Sequence, residues 1–132
     1  AFPQDWAMIQ TNLGGAYCER IKGKRADNIE QAIAHCINAL KIRTKLEFPE
    51  DWAITQNNLG AAYNDRIKKD RAENIEQGIA HYENALQIFT KSEFPQDWAI
   101  IQNNLGNAYC NRIRGDKVDN IEQAITHCKN AL

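Results

Sequence analysis

The chain has 132 residues, 43% of them hydrophobic and 25% charged, with a formal net charge of −1, a balance that suits a globular core and excludes a strongly polyanion-seeking surface. No apolar run approaches the roughly 20 residues that a membrane-spanning helix needs, and no charged-then-apolar leader stands at Ala1. The expected compartment is the cytoplasm.

Phe2-Pro3 opens the first predicted element. Proline is tolerated in a helix's first turn, and Asp5 adds negative charge at the positive end of the helix dipole. Trp6, Ile9, Leu13, Ala16 and Tyr17 recur at helical spacing as an apolar stripe, so a helix is expected over 3–21, with Gly23 as its C-cap. Asp27 or Asn28 is the expected N-cap of a second helix, with Glu30 or Gln31 reaching back as a capping box. Ile29, Ile33, Cys36 and Leu40 form its stripe, Ala32 and Ala39 permit close approach, and the helix is expected to run to about Lys45.

Phe48-Pro49 then begins the same text again. FPQDWA at Phe2 returns as FPEDWA at Phe48 and as FPQDWA at Phe94, a period of 46 residues. NLG recurs at Leu13, Leu59 and Leu105, and NIEQ at Asn28, Asn74 and Asn120. A fixed period of this length means one supersecondary unit stacked along an axis, each copy burying its apolar face against its neighbours. The units are 2–47, 48–93 and 94–132, in one domain. The last copy stops short of a full period, which leads us to expect a piece of a longer array. Repeat two has Lys69 where repeat one has Gly23, so its turn is expected to close differently.

The order L-G-x-x-Y followed by A-x-x-x-(aromatic or Cys)-x-x-A resembles the tetratricopeptide repeat. It is carried by Leu13, Gly14, Tyr17, Ala32, Cys36 and Ala39, by Leu59, Gly60, Tyr63, Tyr82 and Ala85, and by Leu105, Gly106, Tyr109, Ala124, Cys128 and Ala131. Gly78 replaces the first alanine in repeat two, as a close-contact position allows. The ordinary unit has about 34 residues. The longer form here is similar to the repeats of kinesin light chains and to arrays in large multidomain bacterial signalling proteins, where they act as recognition or scaffold segments. The family's usual tryptophan is replaced by Gln10, Gln56 and Gln102, and Trp6, Trp52 and Trp98 stand four residues earlier. The resemblance implies an all-α fold, a right-handed α-solenoid of three antiparallel helix pairs.

It also implies a noncatalytic protein-interaction module whose first helices line a concave groove for an extended peptide or partner helix. The residue before the motif leucine faces that groove in the family: Asn12, Asn58 and Asn104 here. Asn57, Asn103, Asn64, Asn107 and Asn111 extend the set, and asparagine amides can pair with any peptide backbone. The groove positions are mostly neutral, which disfavours a ligand held by its terminal carboxylate alone.

The alternative reading is nucleic-acid or phosphate-surface binding through the turns between helices. Eleven of the 16 basic residues lie in 19–27, 65–73 and 111–119, among them Arg20, Lys22, Lys24, Arg66, Lys68, Lys69, Arg71, Arg112, Arg114 and Lys117. Those turns lack the aromatic residues on which single strands stack. No catalytic motif occurs, and no cofactor is expected. Cys18, Cys36, Cys110 and Cys128 skip repeat two, where Asn64 and Tyr82 stand, so packed or half-exposed thiols are expected rather than a disulfide framework. His35, His81 and His127 each precede Cys or Tyr on a helix, where neighbouring side chains diverge, so no metal site is expected. Uncapped apolar faces at Trp6 and at Ile121, Ile125 and Cys128 lead us to expect weak head-to-tail self-association.

Overall fold

The computed structural model describes residues 3–19, 25–112 and 117–131, with the side chains of 17–19 and 117–121 excepted. The expectations for Tyr17, Cys18, Arg20, Lys22, Gly23, Lys24, Arg114, Lys117 and Ile121 therefore lie outside what is described. Among the described residues there are six helices and no strand: α1 Pro3–Glu19, α2 Arg25–Leu40, α3 Pro49–Asp65, α4 Arg71–Leu86, α5 Pro95–Asn111 and α6 Lys117–Ala131.

The first helix of each unit starts where the Phe-Pro dipeptide places it. Pro49 and Pro95 stand in the first turn, and the carbonyls of Phe48 and Phe94 accept from the amides of Trp52 and Trp98. The second helix starts earlier than expected. The N-cap of α4 is Asp70, whose carboxylate accepts from Ala72 N at 3.1 Å. Asn28 and Asn74, expected as a cap and its repeat, are instead buried inside the first turns of α2 and α4. The Asn74 amide donates to the carbonyls of Lys68 at 2.8 Å and Arg66 at 3.4 Å, so its amide closes the preceding turn. The second helix also ends earlier, at Leu40 and Leu86 rather than near Lys45. Threonine competes with the helix there: Thr44 Oγ1 accepts from Glu47 N and Thr44 O from Phe48 N, and Thr90 repeats both bonds.

In repeat two the turn between the helices closes at Lys69; the Gly23 turn of repeat one lies outside the described residues. Lys69 takes φ of 70°, the left-handed conformation that glycine adopts without strain.

Partner positions on α3 rise as those on α4 fall: Gln56 meets His81 and Asn84, Gly60 meets Gly78 and Tyr82, and Asn64 meets Arg71. The pair is antiparallel. It is also close, because a Cβ on Gly60 would come within 2.6 Å of the Tyr82 ring, and one on Gly78 within 3.0 Å of the Gly60 carbonyl. Each helix packs on its neighbour in sequence, and α3 touches both α1 and α5. The predicted stripe is buried on α3 as Thr55, Leu59 and Ala62 and on α5 as Ile101, Leu105 and Ala108. On α1 the stripe positions Trp6, Ile9, Leu13 and Ala16 are exposed, since none of the described helices packs on that side.

Where units join, Arg43 and Phe89 occupy one repeat position and both are buried. Arg43 donates to Gln4 Oε1 at 3.3 Å and lies 3.4 Å from Asp51, whereas Phe89 stands edge-on to Phe94 with centroids 5.2 Å apart.

Candidate functional site

The helical register sends three of the predicted asparagines to one place. Asn64 comes from the last turn of α3, and Asn104 and Asn107 are three apart on α5, a spacing that puts them on one face. With Ala61, Asp65 and Tyr82 they line a cleft of about 200 Å³ between α3 and α5. Asn104 is oriented by its neighbour, donating through Nδ2 to Asn57 Oδ1 at 3.1 Å. Asn107 is exposed. Asn64 is buried, and its Oδ1 finds no hydrogen-bond partner among the described residues, a costly state for a carbonyl oxygen.

The other predicted residues fall elsewhere. Asn58 is half-buried on α3, Asn12 is exposed on α1 and Asn111 is exposed at the end of α5. Asn103 lines a different and larger groove between α5 and α6, of about 560 Å³. Asn57 belongs to the site through its bond to Asn104 rather than as a lining residue. Asp65 and Tyr82 line the cleft beside the predicted asparagines. The replacement of cysteine by Asn64 and Tyr82 in repeat two alone was the available signal, since both positions open onto this cleft.

Charge at the cleft comes from Asp65, whose carboxylate lies 3.3 Å from Arg25 Nη2 on the solvent side. Among the described residues, most basic side chains of the turns around it are engaged within the chain. Arg66 clasps Glu30 with Nε and Nη2 at 2.6 and 2.8 Å, Arg112 repeats this on Glu76, and Lys68 meets Asp27 at 2.9 Å. Arg71 donates to the backbone carbonyl of Asn64. The hydrogen bond from Arg66 holds the Glu30 carboxyl below its ordinary pKa and raises that of the guanidinium, outweighing the opposing effect of burial.

The three histidines repeat one arrangement. His35, His81 and His127 place Nδ1 against the side-chain oxygens of Gln10, Gln56 and Gln102, the glutamines that stand where a tryptophan was expected. His81 and His127 also stack on Tyr63 and Tyr109 with ring centroids 5.4 and 5.3 Å apart. Burial pushes both of these imidazoles below their ordinary pKa. Among the described residues no three His, Cys, Asp or Glu side chains lie close enough to hold a metal ion. Cys36 is buried, Cys128 half-buried and Cys110 exposed. No described helix is long and apolar enough to cross a membrane.

No family model, curated protein or solved structure matches the chain. The cleft's own chemistry therefore carries the functional reading.

Proposed function

We propose that the chain is a tetratricopeptide-type segment, a right-handed α-solenoid that acts as a noncatalytic interaction module of the cytoplasm. Its ligand is an extended peptide held in the cleft between the first helices of successive pairs. The observation that carries this reading is the convergence of Asn64, Asn104 and Asn107 on one cleft, with Asn64 Oδ1 buried and unpartnered. Amides supply both donors and acceptors, and so meet the demands of a peptide backbone whatever its side chains. The stacking of like helices, α3 on α1 and α5 on α3, supports the solenoid.

The nucleic-acid reading is the weaker one. Arg25, Arg66, Lys68 and Arg112 each hold a carboxylate of this chain, so those cations are already neutralised before a phosphate arrives.

The test is selection from a phage-displayed library of short unstructured peptides, followed by titration of the selected sequence. Asn104→Ala combined with Asn107→Ala is expected to weaken that peptide at least tenfold, about 1.4 kcal/mol, with little change in melting temperature. Failure to select any peptide, or undiminished binding by the double variant, overturns the reading. Tight, steeply salt-dependent binding of a single-stranded oligonucleotide would favour the rival.

A further inference from the structure

We infer that the α3/α5 cleft selects a lysine or arginine side chain of its bound peptide through the Asp65 carboxylate, an inference that rests on the peptide reading above. A cleft of about 200 Å³ takes one side chain at a time rather than the face of a partner helix.

The groups that the cleft holds ready are chiefly acceptors. Asn104 spends its Nδ2 on Asn57 Oδ1 at 3.1 Å, which orients the amide and leaves its own oxygen to accept. Asn64 Oδ1 is buried with no hydrogen-bond partner among the described residues, so what it lacks is a donor. The ionised Asp65 carboxylate accepts only, and the Asn107 amide can do either. An ammonium or guanidinium group is the complement of such a set, because it carries several N–H donors and no acceptor. Ala61 and Tyr82 complete the lining and give the apolar stem of that side chain a surface to lie on.

Charge points the same way. Asp65 alone is charged among the lining residues, and the two helices that wall the cleft carry Glu50, Asp51, Asp65 and Asp97 without a single lysine or arginine. Asn64 and Asp65 also stand in the last turn of α3, where the negative end of the helix dipole favours a cation. Two cations of the chain itself come near from other helices. Arg71 of α4 donates to the backbone carbonyl of Asn64, and Arg25 of α2 lies 3.3 Å from Asp65 Oδ2. The second pair shows that this carboxylate receives a guanidinium. With its side chains 58% and 52% exposed it is a screened surface contact that contributes little, so a cation that also gathers the amide oxygens displaces Arg25.

The test starts from peptides selected on the unaltered chain from the phage-displayed library, which are expected to share a lysine or arginine at one position. Replacing that residue by glutamine in a synthetic copy is expected to weaken binding at least about tenfold. Asn111 holds the Asp65 position in the third unit, so Asp65→Asn is a change that this helix end already accommodates. Against Asp65→Asn the basic and glutamine peptides are expected to bind within about threefold of each other, since the coupling belongs to the pair. Arg25→Gln removes the internal rival and is expected to tighten the basic peptide, most at low salt. Selected peptides with no shared basic residue overturn the inference and leave the peptide reading standing. So does a preference for the basic peptide that survives in Asp65→Asn, or an Arg25→Gln chain that fails to bind it more tightly. Failure to select any peptide removes both readings together. Circular dichroism checks that each variant keeps its helices, and the composition of the peptides selected on the unaltered chain decides whatever the variants do.

Discussion

Arg66 reaches from the residue after α3 back to Glu30 on α2, and its Nε and Nη2 lie 2.6 and 2.8 Å from the two carboxylate oxygens. Both side chains are partly shielded, at 14% and 29% exposure, so the pair is less screened than an ordinary surface contact. Arg112 repeats the bond on Glu76, which makes it the recurring polar tie between one unit and the next.

This tie has a pH signature. The Glu30 carboxyl is held below its ordinary value of 4.5 chiefly by the hydrogen bond from Arg66, so the unfolded chain binds its proton more readily than the folded one. The stabilisation is therefore complete above pH 4.5 and is lost as pH falls through the lower, folded value. Glu30→Gln is expected to be less stable than the parent at neutral pH, and the gap should close in acid. Urea unfolding at a series of pH values measures it, and a gap that stays constant into acid would place the loss in packing rather than in charge.

Lys69 carries a strained backbone that a different residue would relieve. A non-glycine side chain in the left-handed region crowds the carbonyl beside it, and the cost exceeds the entropy that glycine adds to the unfolded chain. Lys69→Gly is expected to raise stability by about 0.5–1 kcal/mol, with Lys69→Ala close to neutral. Thermal denaturation compares the two. Equal effects from both would assign any change to the lysine charge.

Gly60 sits under Tyr82 with no room for a methyl group, since a Cβ there would stand 2.6 Å from the ring. Gly60→Ala is expected to cost about 1–3 kcal/mol by forcing α3 and α4 apart. Tyr82→Ala, which removes the ring, should recover part of that loss in the double variant, whereas cysteine, as in the other two units, would stand as close to the new methyl group as the ring does. Chemical denaturation of the single and double variants reads the coupling directly.

Much of this architecture is legible in the text of the chain. The recurrence of FPxDWA, NLG and NIEQ marks three units, and the spacing of Leu59 with Ala62, or Ile75 with Ile79, marks helical faces, because periodicity depends only on backbone geometry. Cap chemistry was less reliable. Asp27 and Asn28 have the right side chains for an N-cap, yet Asp70 caps α4 and Asn74 turns back to hold the loop, a choice set by where the preceding helix ends.

Tertiary placement alone decided the rest. A stripe names the face that a helix buries but not whether a neighbour is there to bury it, so identical positions are covered at Leu59 and bare at Leu13. The basic turns read as an open stripe until Glu30 and Glu76, 36 residues away, are brought onto Arg66 and Arg112. Of the eight asparagines expected to contact a partner, Asn64, Asn104 and Asn107 line the cleft. Local sequence gives each amide its direction on its own helix, whereas the angle and offset between α3 and α5 determine which amides meet, and those follow from the summed packing of residues far apart in the chain.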